Sequence, residues 1–312
     1  MPDFGQFRGF SEKLFEGQLP TELGLIGSDA FGFIGLLDTY TGAAAAYSLR
    51  RLSRSYTGDA IKVRRSSDNA EQDIGFVNNE LDTSSLLSFV GTSGTDNGFV
   101  TTWYDQSGNG YDATQINTSE QPQIVSSGSV ITENGKPSLQ FDGSDDYLPI
   151  TNLYTDASGE DKIFNIFSAL KASTLVESDA LSFGGASTTP FYSYRLNNSY
   201  FRLIKRDNSG SLSSNPSNTS NTGNFSLFTS LDSGTNLSTF VNNSIVDNNI
   251  NFDVGTITFV DSTLGALVFD SGNDIRNHLD GNMSELILYQ SDQSSNRTGI
   301  ETNINDFYSI YP

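Results

Sequence analysis

Two stretches constrain the fold of this chain more than any others. In the first, Phe99-Val100-Thr101-Thr102-Trp103-Tyr104 runs into Asp105-Gln106-Ser107-Gly108-Asn109-Gly110; in the second, Ser138-Leu139-Gln140-Phe141 runs into Asp142-Gly143-Ser144-Asp145-Asp146. Each is an aromatic strand end that meets a turn of Asp, Ser, Asn and Gly. Asp and Asn side chains hydrogen-bond backbone amides two residues on, and glycine accepts the positive φ such turns require. Two such units about forty residues apart predict a β-sandwich with tight polar corners. Trp103, at the end of an apolar strand, is expected in its core.

Strand patterning continues to the C-terminus. Ile163–Leu170 is almost wholly apolar and reads as a central strand buried on both faces. Further strands are expected at Ala180–Phe183, Phe191–Leu196, Tyr200–Lys205, Phe225–Leu231, Ser238–Val241, Ile257–Val260 and Glu285–Tyr289. Asp207–Gly223, rich in Ser and Asn, reads as an exposed loop. Three short helices are predicted. One spans Thr41–Leu52 on the strength of the Ala43–Ala46 run, one is capped by Asp82, and one at the C-terminus buries Ile300, Ile304, Phe307 and Tyr308. The expected fold is mainly β: a jelly-roll sandwich over residues 41–312, with residues 1–40 as an extended N-terminal arm.

Charge and composition exclude several functions. With 37 acidic against 17 basic residues the net charge is −20, a surface that repels phosphate backbones, so no nucleic-acid partner is expected. The absence of cysteine removes disulfides, thiolate metal sites and cysteine nucleophiles. No apolar run is long enough for a membrane helix. Met1–Arg8 shows no basic segment leading into an apolar one, so export by the general route is not expected. Arg50, Arg51, Arg54, Lys62, Arg64 and Arg65 are expected to form ion pairs with Asp68, Glu71 and Asp73 rather than a partner surface.

Residues 41–312 resemble known proteins at specific places. Tyr47-Ser48-Leu49-Arg50, Arg64-Arg65-Ser66-Ser67-Asp68 and Thr102 through Gly110 are similar to the N-terminal part of the arabinofuranosidase B catalytic domain. The second corner, the Ile163–Leu170 strand and Gly281-Asn282-Met283-Ser284-Glu285-Leu286-Ile287-Leu288-Tyr289 resemble concanavalin A-like, laminin G-type sandwiches. Together these imply a concanavalin A-like jelly roll, with 41–115 as its arabinofuranosidase-like portion and 116–312 as its laminin G-type core. Phe4-Gly5-Gln6-Phe7-Arg8-Gly9-Phe10 and Lys13 through Gly24 resemble the openings of bacteriophage virion proteins. That resemblance implies an arm anchored through Phe4, Phe7, Phe10 and Phe15.

The arabinofuranosidase resemblance implies an acid at Asp270, within Phe269-Asp270-Ser271-Gly272-Asn273-Asp274, and a glutamate nucleophile in mid-chain. Glu177 and Glu285 enclose no glutamate between them, and the family's paired cysteines are absent. The expectation is therefore a non-enzymatic virion structural protein: a spike, fibre or capsid decoration on the virion surface, assembled in the host cytoplasm. Its expected partners are other virion proteins, further copies of itself and a host surface glycan. The alternative is an arabinofuranosidase-like glycoside hydrolase acting on surface polysaccharide, pairing Asp270 with Asp232 or Asp253. Glycan contact is expected at Tyr192, Tyr194, Asn197 and Tyr200, where aromatic faces and amides occur together. No cofactor is required; calcium at Asp105 and Asp112 with Asn109, or at Asp145 with Asp142 and Asp146, is weighed against turns in which those carboxylates satisfy the local backbone. His278, the single histidine, is read as a loop residue, and Glu285 as structural.

Overall fold

The central strand, Phe164–Ala172, carries apolar residues on both faces because both are covered. Phe164, Ile166 and Leu170 enter the main core, while Phe167 and Ala169 enter a second cluster with Leu227, Ile287, Tyr289, Ile300 and Ile304. It lies between Ser226–Asp232 and Asp280–Tyr289, antiparallel to each. The structure is a computed structural model that describes residues 32–151, 153, 163–173, 176–197, 200–215 and 223–312. Those from Gly35 onward form one compact unit. The proposed anchor residues Phe4, Phe7, Phe10 and Phe15 lie outside the described residues.

Two antiparallel layers face each other. The first continues from Ser226–Asp232 to Asn236–Val241 and Ser244–Asn251 on one side, and from Asp280–Tyr289 to Leu139–Asp142 and Ala43–Ser48 on the other. The second runs from Glu71–Ile74 through Ile61–Arg65, Gly98–Trp103, Ala113–Thr114, Leu148–Ile150, Asp261–Leu264, Ser178–Gly184 and Phe191–Asn197 to Tyr200–Arg206. The main core between them draws on residues from Ala45 to Leu288, with Trp103 fully buried against Tyr47. The C-terminal helix Arg297–Tyr308 covers the outer face of the first layer with the face expected from its spacing. The short helix Thr83–Val90 is capped by Asp82, whose Oδ1 accepts the Ser85 amide at 2.9 Å.

The Ala43–Ala46 run is strand, not helix, and here the expectation is corrected. Ala43–Ser48 pairs with Glu285–Tyr289 of the longest strand. Its other edge is closed by side chains of the first polar corner. Asp105 Oδ1 accepts the Ala46 amide at 2.8 Å, Asn109 Nδ2 donates to the Ala43 and Ala44 carbonyls, and Gln106 Nε2 donates to those of Ser48 and Arg50. Helix propensity is worth only tenths of a kcal/mol per residue, less than a fully paired, fully buried strand gains. Small side chains suit this position, because Ala45 and Ala46 are enclosed on both faces. A second correction concerns the Asp207–Gly223 stretch, where Leu212–Ser214 pairs with Tyr200–Arg206 as a further strand.

Candidate functional site

A hairpin lies across the outer face of the second layer. Its arms are Leu267–Phe269 and Asp274–Arg276, and its tip is the turn Asp270–Gly272. It is seated on Ser178–Gly184: Ser182 Oγ accepts the Val268 amide at 3.0 Å, and a Cβ on Gly184 would collide with the Val268 carbonyl. Three consecutive residues of the tip have left-handed φ, Asp270 at 51°, Ser271 at 56° and Gly272 at 77°. Left-handed backbone is uncommon for serine and costs about 1–3 kcal/mol where surroundings enforce it, a kind of strain that clusters at functional sites. Here the Ser271 amide donates to the Gly185 carbonyl, and Asn273 closes the turn onto the Asp270 carbonyl.

Asp270 is exposed at this tip. Asp261, at the start of Asp261–Leu264, comes close to the tip: its Oδ1 is 3.9 Å from the position of a Cβ on Gly272. Asp261 lines a 220 Å³ cavity with Tyr147, Pro149, Val268 and Ile275. Burial raises its pKa above the usual carboxylate range, and its Oδ2 is buried without a hydrogen-bond partner among the described residues. The hairpin tip thus carries the exposed Asp270, while the half-buried Asp261, whose pKa burial raises, approaches it at Gly272. No signal in the sequence singled out Asp261; its position under the hairpin is a product of tertiary structure.

The other expected site residues fall elsewhere. Tyr192 and Tyr194 are fully buried. Tyr192 stacks on Phe164 at 4.4 Å, and the Tyr194 hydroxyl meets Ser168 Oγ at 2.8 Å. The alternation of their strand turns both into the core, so neither can touch a glycan, and that expectation is corrected. Asn197 and Tyr200 are opposed in register where their two strands meet. Asp232 is fully buried beside Lys205 at 3.1 Å and cannot serve as a partner for Asp270. Asp253 is exposed on the loop after Ser244–Asn251 and lines neither this cavity nor the larger one below. His278 Nδ1 faces the Asp146 carbonyl at 3.4 Å.

Of the metal candidates, Asp105 and Asp112 are occupied by the backbone. Asp105 accepts the amides of Ala46, Ser107 and Tyr111, and Asp112 accepts that of Asp105. Asp145 does approach Asp142 and Asp146, with carboxylate oxygens within 4.8 Å of one another. Burial, reinforced by its two acidic neighbours, pushes Asp146 up to about 7. The folded chain therefore holds a proton that the unfolded chain releases near pH 4. The contribution to stability is full below that value and is lost as pH rises toward 7. Asp146→Asn keeps an acceptor for the Asp142 amide and should raise the urea midpoint at pH 8 while changing it little at pH 4. A variant with the parent's pH slope would contradict this.

Comparison with solved structures places the fold among antiparallel β-sandwiches carried by arabinofuranosidases. A glutamate-to-glutamine mutant of a GH54 α-L-arabinofuranosidase soaked with 4-nitrophenyl α-L-arabinofuranoside superposes with a TM-score of 0.66 at 19% identity, over 87% of this chain and 65% of that one. An arabinofuranosidase complexed with arabinofuranosyl-α-1,2-xylobiose gives 0.60 at 17%, over 87% and 64%. A GH54 arabinofuranosidase soaked with a cyclic sulfate inhibitor gives 0.59 at 19%, over 87% and 65%. The chain thus spans somewhat less than two thirds of the length of these enzymes, and at such identities the likeness establishes the fold. By sequence, residues 38–145 match the family model of the α-L-arabinofuranosidase B catalytic domain. No curated protein sequence matches the chain.

These findings overturn the virion reading. The sequence match over residues 38–145 is to an arabinofuranosidase catalytic domain and the fold is one that arabinofuranosidases carry, so the spike or decoration role, the virion surface location and the virion, self and host-glycan partners are withdrawn. The non-enzymatic expectation falls with them. It rested on a missing mid-chain glutamate and on the absence of the paired cysteines, but the chemistry requires only carboxyl groups, and aspartate supplies them. Asp261 lies within the interval that lacks glutamate. Among the described residues no helix is long and apolar enough to cross a membrane.

Proposed function

We propose that the chain is an arabinofuranosidase-like glycoside hydrolase whose carboxyl pair is Asp261 and Asp270. Hydrolysis of a glycosidic bond needs one carboxyl that delivers a proton to the leaving oxygen and one ionised carboxylate that acts as nucleophile or activates water. Environments that push two carboxyls apart in pKa assign these roles. Burial raises the pKa of Asp261, which suits it to deliver the proton, and Asp270 stands exposed at the tip, open to an attacking role. This exchanges the part that resemblance gave to Asp270. The observation that carries the proposal is the strained tip, which holds the exposed Asp270 while the half-buried Asp261 approaches the neighbouring Gly272. The match over residues 38–145 supports the family, although it ends before the hairpin.

The experiment is a turnover assay on 4-nitrophenyl α-L-arabinofuranoside and on arabinofuranosyl-α-1,2-xylobiose, with 4-nitrophenyl pyranosides alongside. Release from the furanosides above the background of the corresponding Asp270→Asn protein is expected. Equal rates for the two proteins on every substrate would remove the proposal.

A further inference from the structure

On the opposite side of the hairpin from Asp261 lies a larger cavity of 420 Å³. Its apolar wall is Phe191, Leu267 and Phe269, and its polar wall is Arg195, Arg206 and Arg276. Three of the chain's 17 basic residues converge here, in a protein of net charge −20, and no carboxylate among the described residues lines the cavity.

The three guanidiniums differ in what holds them. Arg195 is fixed by Asp179 at 3.1 Å and Glu177 at 2.7 Å, and Asp179 is itself clamped by Ser193 and Asn277. Arg276 is paired with Asp274 through Nε at 2.7 Å. Arg206 has no carboxylate partner among the described residues. Its guanidinium stacks on the Phe191 ring at 5.0 Å, and its Nε is buried without a hydrogen-bond partner among those residues.

We propose that this cavity binds the carboxylate of a uronic acid residue in a saccharide, with Arg206 as its principal contact. A guanidinium offers parallel N–H donors that match the two oxygens of a planar carboxylate. The Phe191–Phe269 pair, edge-to-face at 5.2 Å and nearly buried, forms the apolar floor over which Arg206 and Arg276 lie, so that the rim of the pocket meets the ligand through its guanidiniums. Arg195 and Arg276 are each already paired with carboxylates, which leaves Arg206 as the cation open to a ligand's oxygens. The binding is independent of the hydrolysis proposed above: it needs the pocket and not the pair Asp261 and Asp270.

The test is calorimetric titration of the full chain, at low salt, with three trisaccharide probes: trigalacturonate, neutral galactotriose and a sulfated galactotriose. Trigalacturonate should bind best, and its affinity should fall as salt is raised. In Arg206→Gln it should fall at least about tenfold, the loss of one charge-assisted contact. Arg206→Lys should lie between, since it keeps the charge and loses the fork. Unchanged urea midpoints in both variants show that the fold is retained. No binding of trigalacturonate, equal binding of the neutral sugar, tighter binding of the sulfated one, or an unchanged affinity in Arg206→Gln would each overturn the proposal. Asp270→Asn should bind trigalacturonate as the parent does, so that a failure of hydrolysis and a failure of binding are read separately.

Discussion

Replacing Glu285 by alanine should cost about 3–5 kcal/mol of folding stability, the range for removing one member of a buried ion pair. Glu285 is fully buried in the longest strand, and both its carboxylate oxygens are engaged. Oε2 accepts Arg50 Nε at 2.8 Å and Ser48 Oγ at 2.7 Å, and Oε1 accepts Arg50 Nη2 at 2.9 Å. Arg50 is itself buried beneath Phe307 and Tyr308 of the C-terminal helix, with its guanidinium 4.9 Å from the Phe307 ring centre. Deleting the carboxylate leaves that cation with no opposite charge in a site where little of it meets water. One side-chain pair therefore joins the alanine strand, the central layer and the closing helix across 235 positions of sequence. Urea unfolding followed by tryptophan emission, with Trp103 as the sole reporter, measures the effect. The double replacement Arg50→Met with Glu285→Leu should recover most of the loss, because apolar side chains of similar volume fill the space without unpaired charge. A loss below about 1 kcal/mol for Glu285→Ala would show that the pair adds nothing net.

Glu285 also shows what the sequence could and could not disclose. Its structural role, the central strand and the helix with Ile300 and Ile304 were legible, because period and burial leave marks in the residue pattern. The Asp105–Asn109 corner was legible as a turn. Its second task, closing the edge of Ala43–Ser48 with side chains, was not, since nothing local says that a turn will meet a strand sixty residues away. The alanine run was misread for the same reason: propensity is local and pairing is not. At the candidate site, Asp270 was named by the resemblance of its Phe-Asp-Ser-Gly-Asn stretch, not by the residue pattern itself, and the fold sets it at a hairpin tip. Asp261 and Arg206 could not be picked out, because their properties come from what packs on them: a hairpin over one and a phenylalanine ring beside the other. Tyr192 and Tyr194 failed as contact residues because residue type carries no information on which face of a strand turns outward until the layers are known.

The larger effect on activity is expected at the hairpin. Asp270→Asn should reduce turnover of arabinofuranosides by about 10²–10⁴-fold, the range for removing a positioned acid or base. The replacement is nearly isosteric, and asparagine tolerates left-handed φ as well as aspartate does, so the tip should keep its shape and the protein its urea midpoint. Asp261→Asn should act differently. A group that protonates the leaving oxygen matters most when that oxygen is a poor leaving group, and 4-nitrophenolate leaves without help. Asp261→Asn is therefore expected to retain much of the activity on the 4-nitrophenyl substrate and to lose it on arabinofuranosyl-xylobiose, whereas Asp270→Asn should lose both. The pH profile gives the second reading: the alkaline limb of kcat/KM should report the raised Asp261 carboxyl and disappear when Asp261 is replaced. The reverse pattern, with Asp270→Asn sparing the 4-nitrophenyl substrate and Asp261→Asn abolishing both, would exchange the two roles while keeping the pair. Retention of both activities in both variants would place the chemistry away from the hairpin altogether.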